Sequence, residues 1–178
     1  MKKILIVGGV AGGASTAARL RRLDENAEII MFERDEYISF ANCGLPYYIG
    51  EVIKDRDKLL VQTPESMNAR FNIDVRNNSE VVAIDTTKKV VTVNSKTRGT
   101  YEESYDYLVL SPGAKAIKPN IEGINSKRIF TLRNIPDTDN IKKYVDTKGI
   151  NSALVVGGGY VGVEKIGRAS CRERVYGE

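Results

Sequence analysis

No histidine occurs anywhere in the 178 residues. Its absence removes the commonest general acid/base and every Cys–His dyad, so a nucleophile here must be activated by other means. Cysteine is scarce too. The 2 present, Cys43 and Cys171, are far apart and do not make a disulfide framework, which makes a reducing cytoplasm the expected compartment. No apolar run approaches the length of a bilayer span. The opening Met1-Lys2-Lys3-Ile4-Leu5-Ile6-Val7-Gly8 is too short an apolar run for a signal peptide and reads as a strand. Nor is charge of one sign in excess. The net charge is +4, with basic residues scattered among acidic ones, which leaves nucleic-acid binding unsupported.

What is present fits a globular protein with a real core: 42% hydrophobic and 28% charged residues, in a length suited to one domain or one and a half. Lys3 to Gly8 is a β-branched run ending in glycine. Gly8-Gly9-Val10-Ala11-Gly12-Gly13 follows, then the helix-forming Ala14 to Leu23, then a second buried strand at Glu28 to Phe32 closed by Glu33. Strand, glycine turn, helix and strand with a terminal acid make a dinucleotide-binding unit. The usual fingerprint is Gly-x-Gly-x-x-Gly, and here Val10 takes the middle position. Gly8 can make the tight turn, Gly13 can allow close helix–strand packing, and Gly9 and Gly12 add backbone freedom near a pyrophosphate. Glu33 stands about 20 residues on, where an acid binds a ribose hydroxyl. The alternative is a glycine-rich turn in some other α/β protein.

On the helix, Ser15, Arg19 and Arg22 share one face. Two arginines there could grip a polyanion, or Arg19, Arg21 and Arg22 could simply complement the helix dipole. Spacing alone favours the dipole.

Cys43 sits in Ser39-Phe40-Ala41-Asn42-Cys43-Gly44-Leu45-Pro46-Tyr47. Gly44 and Pro46 mark a turn that Tyr47 to Ile49 can continue as a short helix, placing the sulfur where a thiolate is favoured. A buried structural cysteine is the other reading.

Thr63-Pro64-Glu65 predicts a helix start, running to about Phe71 and followed by a strand at Ile73 to Arg76. Glu80 to Asp85 and Lys89 to Asn94 form a hairpin around Thr86-Thr87-Lys88, with Tyr101 to Ser104 as a third strand. Tyr107 to Ser111 is a buried strand stopped by Pro112-Gly113, so a β-meander returns to the central sheet. A short strand is expected at Ile129 to Leu132, a helix at Asp137 to Lys148, and a strand at Ser152 to Val156. That last strand runs into Gly157-Gly158-Gly159-Tyr160-Val161-Gly162, a full Gly-x-Gly-x-x-Gly at Gly157, Gly159 and Gly162. Two nucleotide fingerprints bracketing a cysteine suggest two cofactors with electrons passed between them.

These motifs together resemble the pyridine nucleotide-disulfide oxidoreductases, and the Cys43 stretch resembles their single-cysteine branch. With Gly-Gly-Val-Ala-Gly-Gly, it is most similar there to the coenzyme A-disulfide reductases. The resemblance covers Met1 to about Glu164. It implies an α/β fold: a Rossmann-like FAD-binding domain with an inserted β-meander (1–113), then the start of a second Rossmann-like, NAD(P)-binding domain (114–164). It implies that the first glycine motif binds FAD and the second NADH or NADPH. Cys43 would hold coenzyme A as a mixed disulfide and, once reduced, attack coenzyme A disulfide. Substrate contacts carry over to Ser15, Arg22, Ser39 and Asn42, with Arg19 added, which lifts the same-face arginines above the dipole reading. A homodimer is implied, with partner tyrosines completing the substrate site. An NADH oxidase or peroxidase of the same branch is the runner-up. Those relatives usually carry a histidine in the first glycine loop, where this chain has Val10 and Ala11.

The family's chains are more than twice this length. Past Glu164, Ile166 to Val175 has no helical apolar stripe and resembles a translated sequencing adapter. Residues 165–178 are therefore read as a non-native tail. Without them the net charge is +2 and Cys43 is the only cysteine. Cys171 has no ligand-type neighbours, so no metal site is expected. On its own the truncated chain could be an inactive flavin-binding fragment.

Overall fold

The two apolar runs at the start of the chain form β1 (Lys3–Val7) and β2 (Glu28–Phe32), joined by α1 (Ala11–Leu23). They pair in parallel, with Ile4 opposite Ile29 and Ile6 opposite Met31. The computed structural model describes residues 1–150, 152–157 and 162. Two further strands extend this sheet in parallel: β3 (Asp74–Arg76) beside β2, and β7 (Tyr107–Leu110) beside β1, giving the order β3-β2-β1-β7. The strands β4 (Ser79–Asp85), β5 (Val90–Ser95) and β6 (Gly99–Ser104) form a separate antiparallel meander.

Side chains alternate along a strand, so the parallel sheet has two buried faces. Ile4, Ile6, Ile29 and Met31 pack with Ala14 and Ala17 of α1 and Met67 of α3 (Pro64–Phe71). Leu5, Ile30 and Phe32 pack the other way, onto Val91 and Val93 of β5. The sheet is thus the middle of three layers, which explains why β1 and β2 read as continuous apolar runs. Each of the large side chains fully buried here, such as Ile6, Met31, Leu5 and Phe32, contributes about 1.5–3 kcal/mol.

Polar groups tie the meander to the sheet. Glu103 on β6 accepts from Lys3 on β1 and from Arg76 on β3, and Arg76 also bonds Asp74 at 2.8 Å and the Tyr101 hydroxyl at 3.2 Å. Burial disfavours the Glu103 carboxylate, but the bonds and charges of Lys3 and Arg76 outweigh it and hold its pKa below the ordinary carboxylate value.

By internal packing the chain divides into two units: Met1–Phe40 with Leu60–Ala114, and Ala41–Leu59 with the described residues from Lys115 on. In the second unit, α2 (Leu45–Ile49) follows a 3-10 turn at Asn42–Gly44, another 3-10 turn spans Arg56–Leu59, and α4 covers Ile135–Lys148. Among the described residues no helix is long and apolar enough to cross a membrane.

Most expected elements form, with shifted ends. Helix α1 begins at Ala11 rather than Ala14, and α4 begins at Ile135 because Asn134, not an acid, caps it. The strand expected at Ile129–Leu132 does not form, nor does the one at Ser152–Val156, where Leu154 and Val156 are 89% exposed. A strand exists only through its ladder with a neighbour, and among the described residues neither segment has one. The helix expected to open at Gly162–Glu164, and the 165–178 tail, lie outside the described residues apart from Gly162.

Candidate functional site

The first glycine turn stands at the carboxyl ends of β1, β2 and β7. Strand order reverses here: β2 and β3 lie to one side of β1 and β7 to the other, which is where open α/β sheets bind ligands. Gly8 has φ +100° and donates its N–H to the Phe32 carbonyl at 2.8 Å. Its missing Cβ is required, because that atom would fall 2.0 Å from the Ser111 carbonyl oxygen. At Gly9 a Cβ would lie 2.7 Å from Ile38, and the Gly9 N–H is held by the Glu33 carboxylate at 2.8 Å. The other Glu33 oxygen accepts from the Asp35 N–H at 3.1 Å. Each carboxylate oxygen retains a second lone pair.

The turn is closed below and open above. Gly9 and Gly13 are buried, Val10 is half-buried, and Ala11 and Gly12 are exposed at the start of α1. At Gly12 the nearest atom to an added Cβ is the Ser111 hydroxyl at 3.2 Å. The N-cap of α1 is Val10, which makes no side-chain cap, and no acid stands in the first turn. By contrast, α3 is capped reciprocally by Thr63 and Ser66, and α4 by Asn134. The uncapped N–H groups of α1 and the cradle bare of Cβ atoms fit a bound pyrophosphate.

In the second glycine motif the two described glycines, Gly157 and Gly162, stand as Gly8 and Gly13 do in the first. Gly157 has φ +111°, and a Cβ on Gly162 would lie 1.9 Å from the Gly157 carbonyl oxygen, as one on Gly13 would lie 1.7 Å from that of Gly8. Val155 flanks Gly162 as Ile6 flanks Gly13. Gly159 lies outside the described residues.

On α1, Ser15, Arg19 and Arg22 are all exposed, and no partner holds either arginine among the described residues. Arg21 differs. It donates to the carbonyls of Phe71 and Asn72 at 2.8 Å each, and to those of Asp24 and Glu25, tying the end of α1 to the end of α3. Ser39 is held in the left-handed region (φ 42°): its N–H donates to the Gly9 carbonyl, and its own carbonyl accepts from Val61 and Gln62.

In the second unit, Cys43 lies in the 3-10 turn one residue before Gly44, the N-cap of the five-residue α2. Cys43 is exposed and carries no disulfide, which excludes a buried structural cysteine. Gly44 packs between Ala41, Ile53 and Leu59. The neighbouring Asn42 is half-buried, and its Oδ1 accepts from Arg133 at 3.2 Å.

The structure therefore gathers Gly8–Gly13, Glu33 and Ser39 in the first unit, and Asn42 with Cys43 in the second. Sequence reasoning passes over one further residue in each unit. Ser111 closes the first glycine turn, and its signal is the Ser-Pro-Gly stop after a strand. Arg133 reaches Asn42 across 91 positions and leaves no local signal.

A family profile described as pyridine nucleotide-disulphide oxidoreductase matches residues 2–171. Coenzyme A disulfide reductase of Staphylococcus aureus (strain JH9) is 50% identical over 165 residues, covering 92% of this chain and 37% of that protein. The crystal structure of reduced Bacillus anthracis CoADR-RHD is 62% identical with a TM-score of 0.90, over 93% of this chain and 30% of that one. The water-forming NADH oxidase from Lactobacillus brevis, bound to NADH, is 32% identical with a TM-score of 0.85, over 93% of this chain and 36% of that one. The chain thus spans little more than a third of the curated relative it matches.

Proposed function

Because the chain belongs to the pyridine nucleotide-disulphide oxidoreductase family, we propose that its protein is an FAD-containing, NAD(P)H-dependent reductase of coenzyme A disulfide or a related small disulfide. The observation that carries this reading is the exposed Cys43 in a chain where Gly157 and Gly162 stand in the same relation as Gly8 and Gly13. Residues 1–113 are assigned to the FAD half and 114–164 to the opening of the NAD(P) half, although 41–59 packs with the later residues. Assignment to the cytoplasm and to a homodimer belongs to the same proposal.

Gly8–Gly13 and the open N–H groups of α1 would hold the FAD pyrophosphate, and Glu33 the adenosine ribose. Gly157, Gly159 and Gly162 would do the same for NADH or NADPH. Cys43, as its thiolate, attacks one sulfur of the disulfide. This releases one coenzyme A thiolate and leaves the other half bound as a Cys43 mixed disulfide. When bound, the two cofactors supply the electron pair that returns Cys43 to a thiolate and frees the second coenzyme A. Ser15, Arg19 and Arg22 present hydroxyl and guanidinium donors on one helix face, suited to the substrate's phosphates. Ser39 and Asn42 precede the cysteine in sequence and would orient the reacting arm.

Cys43→Ser in the holoenzyme tests this. Flavin reduction by NAD(P)H should persist while coenzyme A disulfide reduction is abolished, and retained turnover overturns the assignment. The oxidase relative supports a second reading, in which Cys43 cycles through a sulfenic acid with oxygen as acceptor. Oxygen consumption faster than disulfide reduction at saturating acceptor would favour it.

A further inference from the structure

Arg133 is anchored before it reaches Asn42. Asn134 caps α4 by accepting from the Asp137 N–H at 3.0 Å, and the Asp137 carboxylate accepts from the Arg133 backbone N–H at 2.9 Å. Helix α4 is in turn pinned to the segment carrying Cys43. Arg56 bonds Asp139 through two contacts of 2.8 and 2.7 Å, and Lys142 bonds Glu51 at 2.9 Å. From this support the Arg133 guanidinium donates to Asn42 Oδ1.

A guanidinium has only donors, so the amide oxygen must face it and the orientation of the Asn42 amide is determined. Its nitrogen then projects to the other side. Among the described residues neither Nδ2 hydrogen is used. We propose that Arg133 is a positioning residue that commits Asn42 to act as a hydrogen-bond donor beside Cys43, so that this part of the site recognises an oxygen acceptor on the substrate. Asn42 directly precedes Cys43 in the same 3-10 turn, and the acceptor assigned to it is therefore an amide carbonyl of the pantetheine arm, the part of the substrate next to its sulfur, rather than a distant phosphate. The inference rests on the proposed function and adds to it the polarity of recognition and the residue that sets it.

Asn42→Asp separates this from a merely structural tie. A carboxylate keeps, and by its charge strengthens, the bond to Arg133, yet it has no donor left. In the holoenzyme, kcat/KM for coenzyme A disulfide and for pantethine, which lacks phosphates, should each fall about tenfold, mainly through KM. The thermal midpoint should hold or rise. The preference for pantethine over bis(2-hydroxyethyl) disulfide, which has no carbonyl, should fall by a similar factor. Arg133→Met should act in the same direction and Arg133→Lys should recover part of the loss. An unchanged KM in Asn42→Asp overturns the proposal, as does a loss confined to coenzyme A disulfide, which would place the acceptor on a phosphate. A wild-type enzyme that reduces none of the three disulfides overturns the proposed function instead. The variants are then compared by coenzyme A binding, read as a change in flavin absorbance, and equal affinities overturn the inference itself.

Discussion

The carbonyl oxygen of Gly8 stands 1.7 Å from the point a Cβ on Gly13 would occupy, far inside van der Waals contact. The first turn of α1 therefore lies directly on the end of β1. Only a glycine at position 13 permits this approach to the residue 8 carbonyl, and it brings the helix N-terminus over the carboxyl edge of the sheet. Gly157 and Gly162 stand in the same relation at 1.9 Å.

Gly13→Ala must push the helix off the strand. It should cost more than about 2 kcal/mol and yield protein with substoichiometric flavin. Gly12→Ala meets only the movable Ser111 side chain at 3.2 Å. It should leave the melting temperature nearly unchanged yet weaken flavin at least about fivefold, since the methyl occupies the open side of the turn. Thermal melts and flavin titration of the two variants check both halves.

Glu33→Ala strips the buried Gly9 N–H of its acceptor and should destabilise the protein by about 1–3 kcal/mol. Glu33→Gln retains an acceptor and should recover much of that stability. It should still bind flavin more weakly than wild type, because it donates where the carboxylate only accepts. Urea unfolding beside flavin titration distinguishes the two losses.

Glu103 gives the fold an acid-labile tie. Its folded pKa is depressed, because the opposing effect of burial is outweighed by Lys3 and Arg76. The stabilisation it contributes is therefore fully present above the ordinary carboxylate pKa and is lost as pH falls through the lower folded value. Glu103→Gln should be less stable by about 2 kcal/mol at neutral pH, and the difference should shrink to nothing in acid. Unfolding curves across that range provide the measurement, and a pH-independent difference would contradict the assignment.

The arginines of α1 should divide by function. Arg22→Gln, and to a lesser degree Arg19→Gln, should raise KM for coenzyme A disulfide about tenfold with little change in melting temperature. Arg21→Gln abandons four backbone carbonyls. It should lower stability by about 1–3 kcal/mol and leave KM alone. Steady-state kinetics and melts on the three variants decide it.

Much of the fold is legible where the cause is local. Apolar β-branched runs mark β1 and β2, Thr63-Pro64 marks the start of α3, and the glycine spacing marks the turn that opens α1. The expectation fails at Ile129–Leu132 and Ser152–Val156, whose composition suits a strand but whose backbones find no neighbouring ladder among the described residues. The candidate site divides in the same way. Cys43 and the glycines announce themselves by residue type, whereas helical spacing sets Arg21 apart from Arg19 and Arg22 without saying that the carbonyls of Phe71 and Asn72 hold it.

The sequence by itself determined the chemistry on offer: Cys43 in a chain without histidine, two glycine fingerprints, and an acid at the end of the second strand. These depend on residue identity and short spacing, which the chain carries whether folded or not. Tertiary structure alone decided what each group faces. Packing across long separations put Ser111 against Gly8 and Gly12, Glu33 on the Gly9 N–H, and Arg133 on the Asn42 amide. Such contacts depend on how elements meet in space, which no local pattern encodes.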